Sequence, residues 1–491
     1  MTLAALLLLS FFAVLLFIHV LLLAWLMYAK RSEKNQNRMF SPQQYLIIFA
    51  SQSGQAEQYA QRTALQLQQA GIGAACVNIQ DIRAEHLQQA SRVLWMVSTY
   101  GEGDAPDTAQ AFQQQVLKQS YDLSQMSYAI LAFGDRRYAN FCHFGQELHA
   151  WLQKQHAQPC FDLVCVNQLS AADLDSWSHH LEQLTNVQLQ LDHAKKNWLD
   201  FALQDRTVLN TGSCGSPMYS IALSAAGQQW QSGDILEVQC ANSDADIQRF
   251  LAQFDVAADQ ALTAALKQKN LRLAPARLAE ESPVQWAARF EQLPVRDYSI
   301  ASIPAQKQLH LVVRQQMTDD GLGIGSGWLT AHAEVGENIR ANLRCNPSFQ
   351  LVQSDQPMIF IGNGSGIAGL MAHVQQREAW GFKQNWLIFG ERQQQFDFLF
   401  QNKLQEWQHS GVLSELDTVF SRDHAQKRYV QHVLLEKSEQ LRSWVEQGAY
   451  IYLCGSLKGM AQGVDDAMRE ILGEAKFEQL RLKQRYRRDV Y

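Results

Sequence analysis

Three loops between residues 51 and 142 carry the residue types that hold a phosphate and a flat aromatic ring. Ser51-Gln-Ser-Gly-Gln-Ala-Glu57 follows the apolar run 45–50 and leads into a helical pattern reaching about Gln69. A strand, a short hydroxyl- and glycine-rich loop and a helix N-terminus together aim backbone N–H groups at an anion. Ser98-Thr-Tyr-Gly-Glu-Gly-Asp104 follows the apolar run 93–97, and Gly134-Asp-Arg-Arg-Tyr-Ala-Asn-Phe-Cys142 follows the run 128–133. One Ser/Gly turn says little by itself. Three of them at the carboxyl ends of buried, parallel-type strands mark where open α/β sheets bind ligands. Tyr100 and Tyr138 sit in glycine-rich loops and not on an apolar stripe, which favours stacking on a ligand over core packing.

Further along, Arg296-Asp-Tyr-Ser-Ile-Ala-Ser302 joins a permanent cation to an aromatic ring and hydroxyls, and Gly321-Leu-Gly-Ile-Gly-Ser-Gly327 opens a short helix at Trp328. The charge of an arginine is permanent and its donors match phosphate oxygens. Met358–Gly362 enters Gly362-Asn-Gly-Ser-Gly-Ile-Ala-Gly369 and then a helix, a pattern that is weak alone. Phe389-Gly-Glu-Arg392, Phe420-Ser-Arg-Asp-His-Ala-Gln-Lys-Arg-Tyr-Val-Gln431 and Tyr452-Leu-Cys-Gly455 strengthen it. Ser421, Arg422, Lys427 and Tyr429 supply cations and hydroxyls for a ribose 2′-phosphate, where an NAD site carries an acidic partner.

In this order the motifs resemble those of NADPH-dependent diflavin reductases. The ending Arg485-Tyr-Arg-Arg-Asp-Val-Tyr491 is similar to that of sulfite reductase flavoprotein subunits. The resemblance runs from about residue 44 to the end. It implies an α/β multidomain chain: a flavodoxin-like FMN domain, a β-barrel FAD domain with a short helical insert, and a Rossmann-like NADPH domain. By this resemblance Ser51, Ser53, Gly54, Gln55 and Ala56 hold the FMN phosphate. Tyr100 and Tyr138 stack on the flavin, Gly101 and Gly103 let the backbone bend close to it, and Asp135 and Phe141 complete the site. Arg296 pairs with the FAD pyrophosphate, Tyr298 packs on the ring, Ser299 approaches it, and Gly323, Ile324, Gly325 and Ser326 line the pyrophosphate. Gly364, Ser365 and Gly366 form the NADPH loop, and Gln431 completes the 2′-phosphate set of Ser421, Arg422, Lys427 and Tyr429.

The resemblance assigns the catalytic roles to Ser299, Cys454, Asp489 and Tyr491. Asp489 would orient Ser299 and Cys454, and Tyr491 would cover the FAD ring until nicotinamide displaces it. Cys454 is not read as a nucleophile, because hydride transfer needs alignment and the cofactors carry the chemistry. Electrons would pass from NADPH through FAD to FMN and then singly to a haem or iron protein. The alternative is direct reduction of ferric chelates or other small molecules. A flavin-binding membrane module without turnover is the third reading, and the Ser299, Cys454 and Asp489 set argues against it. The chain departs from the family in three places. Arg136 and Arg137 replace small or hydroxyl residues; the insert is short; and Asn363 and Gly369 stand where proline is usual.

These residues need several elements to position them. A length of 491 residues suggests about three domains. With 47% hydrophobic and 18% charged residues the chain reads as globular, and a net charge of −6 gives no reason to expect nucleic acid. The 8 cysteines form no Cys-x-x-Cys, so no zinc or iron–sulfur site is expected. Residues 3 to 29 carry no charge and exceed the ~20 residues that cross a bilayer. A signal peptide would need a basic leading region and a small-residue cleavage site, and neither is visible. Lys30, Arg31, Lys34 and Arg38 follow the span, which predicts one crossing of the inner membrane with the catalytic domains in the cytoplasm. His19, alone in the span, is not read as a haem ligand. The expected organisation is an anchor (1–29), a tether (30–43), an FMN domain (44–190), a linker (191–213), an FAD barrel (214–355) with a helical insert (about 246–292), and an NADPH domain (356–491).

Overall fold

The computed structural model describes residues 44–51, 54–100, 103–136, 138–167, 170–188, 197–278 and 280–491. The expected anchor and tether, Ser53, Gly101 and Arg137 lie outside the described residues. Among the described residues no helix is long and apolar enough to cross a membrane. The chain divides into two compact units, Met1–Ala194 and Lys195–Tyr491.

The first unit is built on a parallel sheet. Its strands are β1 (Tyr45–Ala50), β2 (Ala74–Asn78), β3 (Arg92–Ser98), β4 (Ser127–Gly134), β5 (Gln158–Pro159) and β6 (Val164–Asn167). They run in the order β2-β1-β3-β4-β5, with β6 also pairing β4. Side chains alternate across a strand. In β1, Leu46, Ile48 and Ala50 therefore enter one core while Tyr45, Ile47 and Phe49 enter the other. Helices cover both faces. Helix Gln55–Gln69 buries Tyr59, Ala60 and Leu67, and helix His143–Lys154 buries Phe144, Leu148 and Leu152. Burial on both faces is why the central strands β1, β3 and β4 are nearly continuous apolar runs without alternation.

The second unit opens with an antiparallel sheet of β7 (Leu199–Val208), β8 (Met218–Ser224), β9 (Ile235–Val238), β10 (Arg296–Ser299), β11 (Gln308–Arg314) and β14 (Asn338–Arg344). A small hairpin, β12 (Met317–Thr318) and β13 (Gly321–Leu322), stands apart from it. The order is β10-β9-β14-β7-β8-β11, and a bridge between Ile300 and Leu311 joins the two ends into a barrel. The expected linker 191–213 is corrected here. Residues 199–208 are the barrel strand β7, paired with β8 and β14. Only Phe201 and Leu203 of that strand are buried, so its composition reads as a polar connector.

The insert between β9 and β10 is helical as expected but broken into short pieces, Asp244–Ala252, Gln260–Leu266 and Pro283–Ala288. Side-chain N-caps start the second and third pieces: Asp259 accepts from the N–H of Leu262 at 2.7 Å, and Ser282 from that of Gln285 at 3.3 Å. Phe250, Phe254 and Phe290 pack around the buried Trp286.

The remainder is a five-stranded parallel sheet of β15 (Met358–Asn363), β16 (Asn385–Glu391), β17 (Glu415–Phe420), β18 (Tyr450–Gly455) and β19 (Tyr486–Val490). The order β17-β16-β15-β18-β19 puts the topological reversal between β15 and β18, where doubly wound sheets open a crevice for a ligand.

Candidate active site

In the first unit Ser51 follows directly on β1, and helix Gln55–Gln69, starting with Gln55 and Ala56, follows Gly54. Ser51 Oγ is buried and has no hydrogen-bond partner among the described residues. A buried hydroxyl costs free energy unless something bonds it. A phosphate at this helix N-terminus would meet that need, so the residues present fit FMN.

The loops after β3 and β4 leave neighbouring strand ends, since Ser98 pairs with Phe133. The first is closed by backbone bonds from Tyr100 to Asp104 at 2.8 Å and back at 2.9 Å. Gly103 has φ of 132°, and a Cβ there would come within 2.7 Å of the Asn140 side chain, so the two loops touch at a position that only glycine fits. Tyr138 closes a turn in which its N–H donates to Asp135 O at 3.1 Å, and the residue is 38% exposed. Phe141 carries the guanidinium of Arg136 over its ring at 5.3 Å, so that departure from the family packs on an aromatic face.

The second unit holds two adjoining cavities. One, of about 400 Å³, is lined by Arg296, Tyr298 and Ser299 on β10 and by Gly323, Ile324, Gly325 and Ser326 from the loop after β13. A Cβ on Gly325 would stand 2.5 Å from Arg296 Cγ and 2.8 Å from the Tyr298 hydroxyl. The glycine thus keeps open a cradle beside a cation and a ring, and the set fits FAD. Burial raises the Tyr298 phenol, which stays protonated.

The other cavity, of about 680 Å³, lies at the crevice of the parallel sheet. Gly364, Ser365, Ser421, Arg422, Tyr429 and Gln431 line it, as the sequence indicates. Gly366 and Lys427 do not line it; Arg428 does. Arg428 also pairs with Glu436, one helical turn and more along the chain. Gln431 Oε1 is buried without a partner among the described residues, an acceptor left for a ligand donor. The loops after β16 and β17 are held side by side, because Ser421 N–H donates to Glu391 O at 2.9 Å and Arg422 N–H to Arg392 O at 2.8 Å. NADPH fits these residues.

Between the two cavities the four expected catalytic residues come together. The Ser299 hydroxyl donates to Asp489 Oδ2 at 2.7 Å, and the Cys454 thiol stands 3.9 Å from the same oxygen. β18 and β19 pair Cys454 with Asp489 directly. Burial raises the Cys454 thiol well above its ordinary value and the Asp489 carboxylate reinforces the shift, so Cys454 keeps its proton and is no nucleophile. Burial likewise raises the Asp489 carboxyl, against the opposing effects of the Ser299 hydrogen bond and the Arg344 charge. A Cβ at Gly369 would come within 3.1 Å of Phe349 Cε1, a tight approach, and would lie in ordinary contact with Cys454 Sγ at 3.4 Å and Ser299 Cβ at 3.7 Å. Asn363, the other departure, accepts from Ser456 N–H at 3.0 Å and ties the β15 loop to the β18 loop.

Tyr491 lines both cavities. Its N–H donates to Gly455 O and its carbonyl accepts from Leu457 N–H, both at 3.0 Å. The hydroxyl donates to Ser365 Oγ at 3.1 Å, while the residue as a whole remains 57% exposed. The backbone is fixed and the ring is held by one hydroxyl contact.

Two charged cavity residues, Arg272 and Arg314, carry no sequence signal, and Glu391 shows in the sequence only as part of the Phe389–Arg392 run. Arg272 comes from the helical insert and donates to Leu322 O at 2.8 Å beside the FAD cavity. Arg314 and Glu391 form an ion pair between the barrel and the parallel sheet. No motif carries Arg272 or Arg314, and the pairing of Arg314 with Glu391 comes from two strand ends packed together.

Residues 47–180 match the flavodoxin family model and residues 360–466 match the oxidoreductase NAD-binding domain model. The chain is similar to sulfite reductase (NADPH) flavoprotein alpha-components. Identity is 28% to that of Aliivibrio fischeri, covering 91% of this chain and 89% of the relative. It is 29% to that of Vibrio cholerae, covering 91% and 87%. It is 27% to that of a Shewanella species, covering 91% and 89%. A flavodoxin unit, an antiparallel FAD-binding barrel and a parallel NADPH-binding sheet define an NADPH-dependent diflavin reductase, with FMN, FAD and NADPH as its cofactors. This one is related to the sulfite reductase flavoprotein alpha-component.

Proposed function

We propose that this reductase serves a one-electron acceptor, a haem or iron protein at the inner membrane, to which residues 3–29 hold it with the catalytic domains in the cytoplasm. The observation that carries the redox reading is the meeting of Ser299, Cys454 and Asp489 with Tyr491 at the seam of two nucleotide-sized cavities. When bound, the nicotinamide supplies a hydride and the two flavins divide its electron pair into single electrons. The protein supplies the rest. Asp489 fixes the Ser299 hydroxyl by a hydrogen bond and would hold an acidic group near a bound nicotinamide. Cys454, buried beside Asp489, adds a protonated, weakly polar group. Tyr491 keeps water off the exposed wall of the FAD cavity.

A pair of flavins is of most use when the acceptor takes electrons singly, which favours haem or iron. The apolar span is the feature that points to the membrane. The same chemistry would allow direct reduction of ferric chelates, but a freely diffusing substrate gives no use for an anchor. Purified protein from residue 40 onward should contain FMN and FAD in equal amounts and lose its flavin colour anaerobically with NADPH. A single flavin type that the other cannot join on reconstitution would end this reading.

A further inference from the structure

Arg314 ends β11 of the barrel and Glu391 ends β16 of the parallel sheet, and their ion pair sits where the two cavities meet. Arg314 lines both cavities, and Glu391 lines the coenzyme cavity. The guanidinium lies against the glycine-rich loop, since a Cβ on Gly364 would stand 3.0 Å from Arg314 Nη2. Nη2 is taken by Glu391 Oε1. Nη1 is buried and has no hydrogen-bond partner among the described residues. A buried charged donor left unpaired is costly, and a site that contains one calls for an acceptor. A dinucleotide brings to the Gly364–Ser365 loop a pyrophosphate whose oxygens match a guanidinium fork.

Glu391 acts in the opposite direction. It is buried, its second oxygen accepts from Arg392 N–H at 2.9 Å, and it holds a carboxylate inside a cavity that must admit a polyanion. Burial raises the Glu391 carboxyl, while the Arg314 charge lowers it. A repulsive group facing the ligand is a device for limiting affinity, and here it also engages the residue that attracts.

We propose that Arg314 binds the pyrophosphate of the nicotinamide dinucleotide and that Glu391 competes for the same guanidinium, reclaiming it when the coenzyme leaves. The proposal rests on the NADPH reading of the cavity. Glu391 is then a positioning residue that acts through Arg314. Its rival role is that of a strand-end acid accepting hydrogen bonds from the ribose hydroxyls, and the two roles give opposite signs.

Equilibrium calorimetry on the flavin-loaded full chain separates them, using NADP+, NAD+ and adenosine 2′-monophosphate as probes. Arg314→Gln should weaken NADP+ and NAD+ alike by about tenfold or more. It should leave adenosine 2′-monophosphate unchanged, because that probe has no pyrophosphate. Glu391→Gln should tighten NADP+ by about threefold or more, a direction that misfolding does not produce. The double variant should gain less from the loss of Glu391 than the wild type does, since the guanidinium it competes for is gone and only its direct repulsion of the ligand remains. Weaker NADP+ binding by Glu391→Gln, or effects that simply add in the double variant, would overturn the proposal. So would a loss of adenosine 2′-monophosphate affinity in Arg314→Gln. A wild-type chain that binds no NADP+ would overturn the coenzyme reading as well. Normal wild-type binding with unresponsive variants would overturn this proposal alone.

Discussion

Arg422 and Ser421 are the residues on which coenzyme choice should turn, because both line the coenzyme cavity beside Tyr429 and Gln431. A charged hydrogen bond to a phosphate contributes about 1.5–3 kcal/mol, so Arg422→Ala should cost roughly ten- to hundred-fold in NADPH affinity. NADH lacks the phosphate and should bind much as before. Titrating both coenzymes checks this, and equal losses would make Arg422 a structural residue. The motif residues were legible because each belongs to a short run whose spacing encodes its role. Lys427 and Arg428 show the limit of that legibility: adjacent cations in a loop cannot be told apart until the backbone decides which one faces the cavity. Arg314 and Glu391 show a harder limit. They are 77 residues apart in the chain, and only the packing of a barrel strand against a sheet strand brings them together.

At the scale of elements, β19 carries the control of the site. It places Asp489 opposite Cys454 and delivers Tyr491 to the wall shared by both cavities. Backbone bonds to Gly455 and Leu457 hold Tyr491 in place whether or not its ring contacts Ser365. Tyr491→Ala should therefore leave the strand and the FAD site intact while it opens the flavin face to nicotinamide. The expected outcome is a smaller preference for NADPH over NADH, measured from the ratio of the two kcat/KM values with bound FAD verified. An unchanged ratio would count against Tyr491 as a gate. Parallel strands buried on both faces were plain in the sequence, because nothing but apolar residues can fill them. β7 was not. An antiparallel barrel strand with one wet face, and only Phe201 and Leu203 buried, has the composition of a linker. The insert was legible as helical, but its breaks at Asp259 and Ser282 depend on caps that a helical period does not reveal.

For the whole molecule the open question is why a reductase of this kind would carry an apolar leading segment. NADPH and the flavins are handled by residues 44 onward and place no demand on a bilayer. A span of this length is costly to keep in water, and on the proposed reading its value is location. Tethering the catalytic domains near a membrane-associated acceptor turns a second-order encounter into an intramolecular one, with an effective concentration that can reach the millimolar range for short flexible linkers. Polar residues 30–43 would then serve as the link, and their positive charges would keep the catalytic domains on the cytoplasmic side. Deleting residues 1–29 should accordingly leave NADPH oxidation with ferricyanide or cytochrome c nearly unchanged, since those acceptors diffuse freely. Electron delivery to the native acceptor in membranes should fall by about tenfold or more at equal protein abundance. Protease added outside intact cells should spare the catalytic domains. If the truncated protein reduced the native acceptor as well as the full chain did, tethering would lose its purpose and a soluble haemoprotein would become the better acceptor.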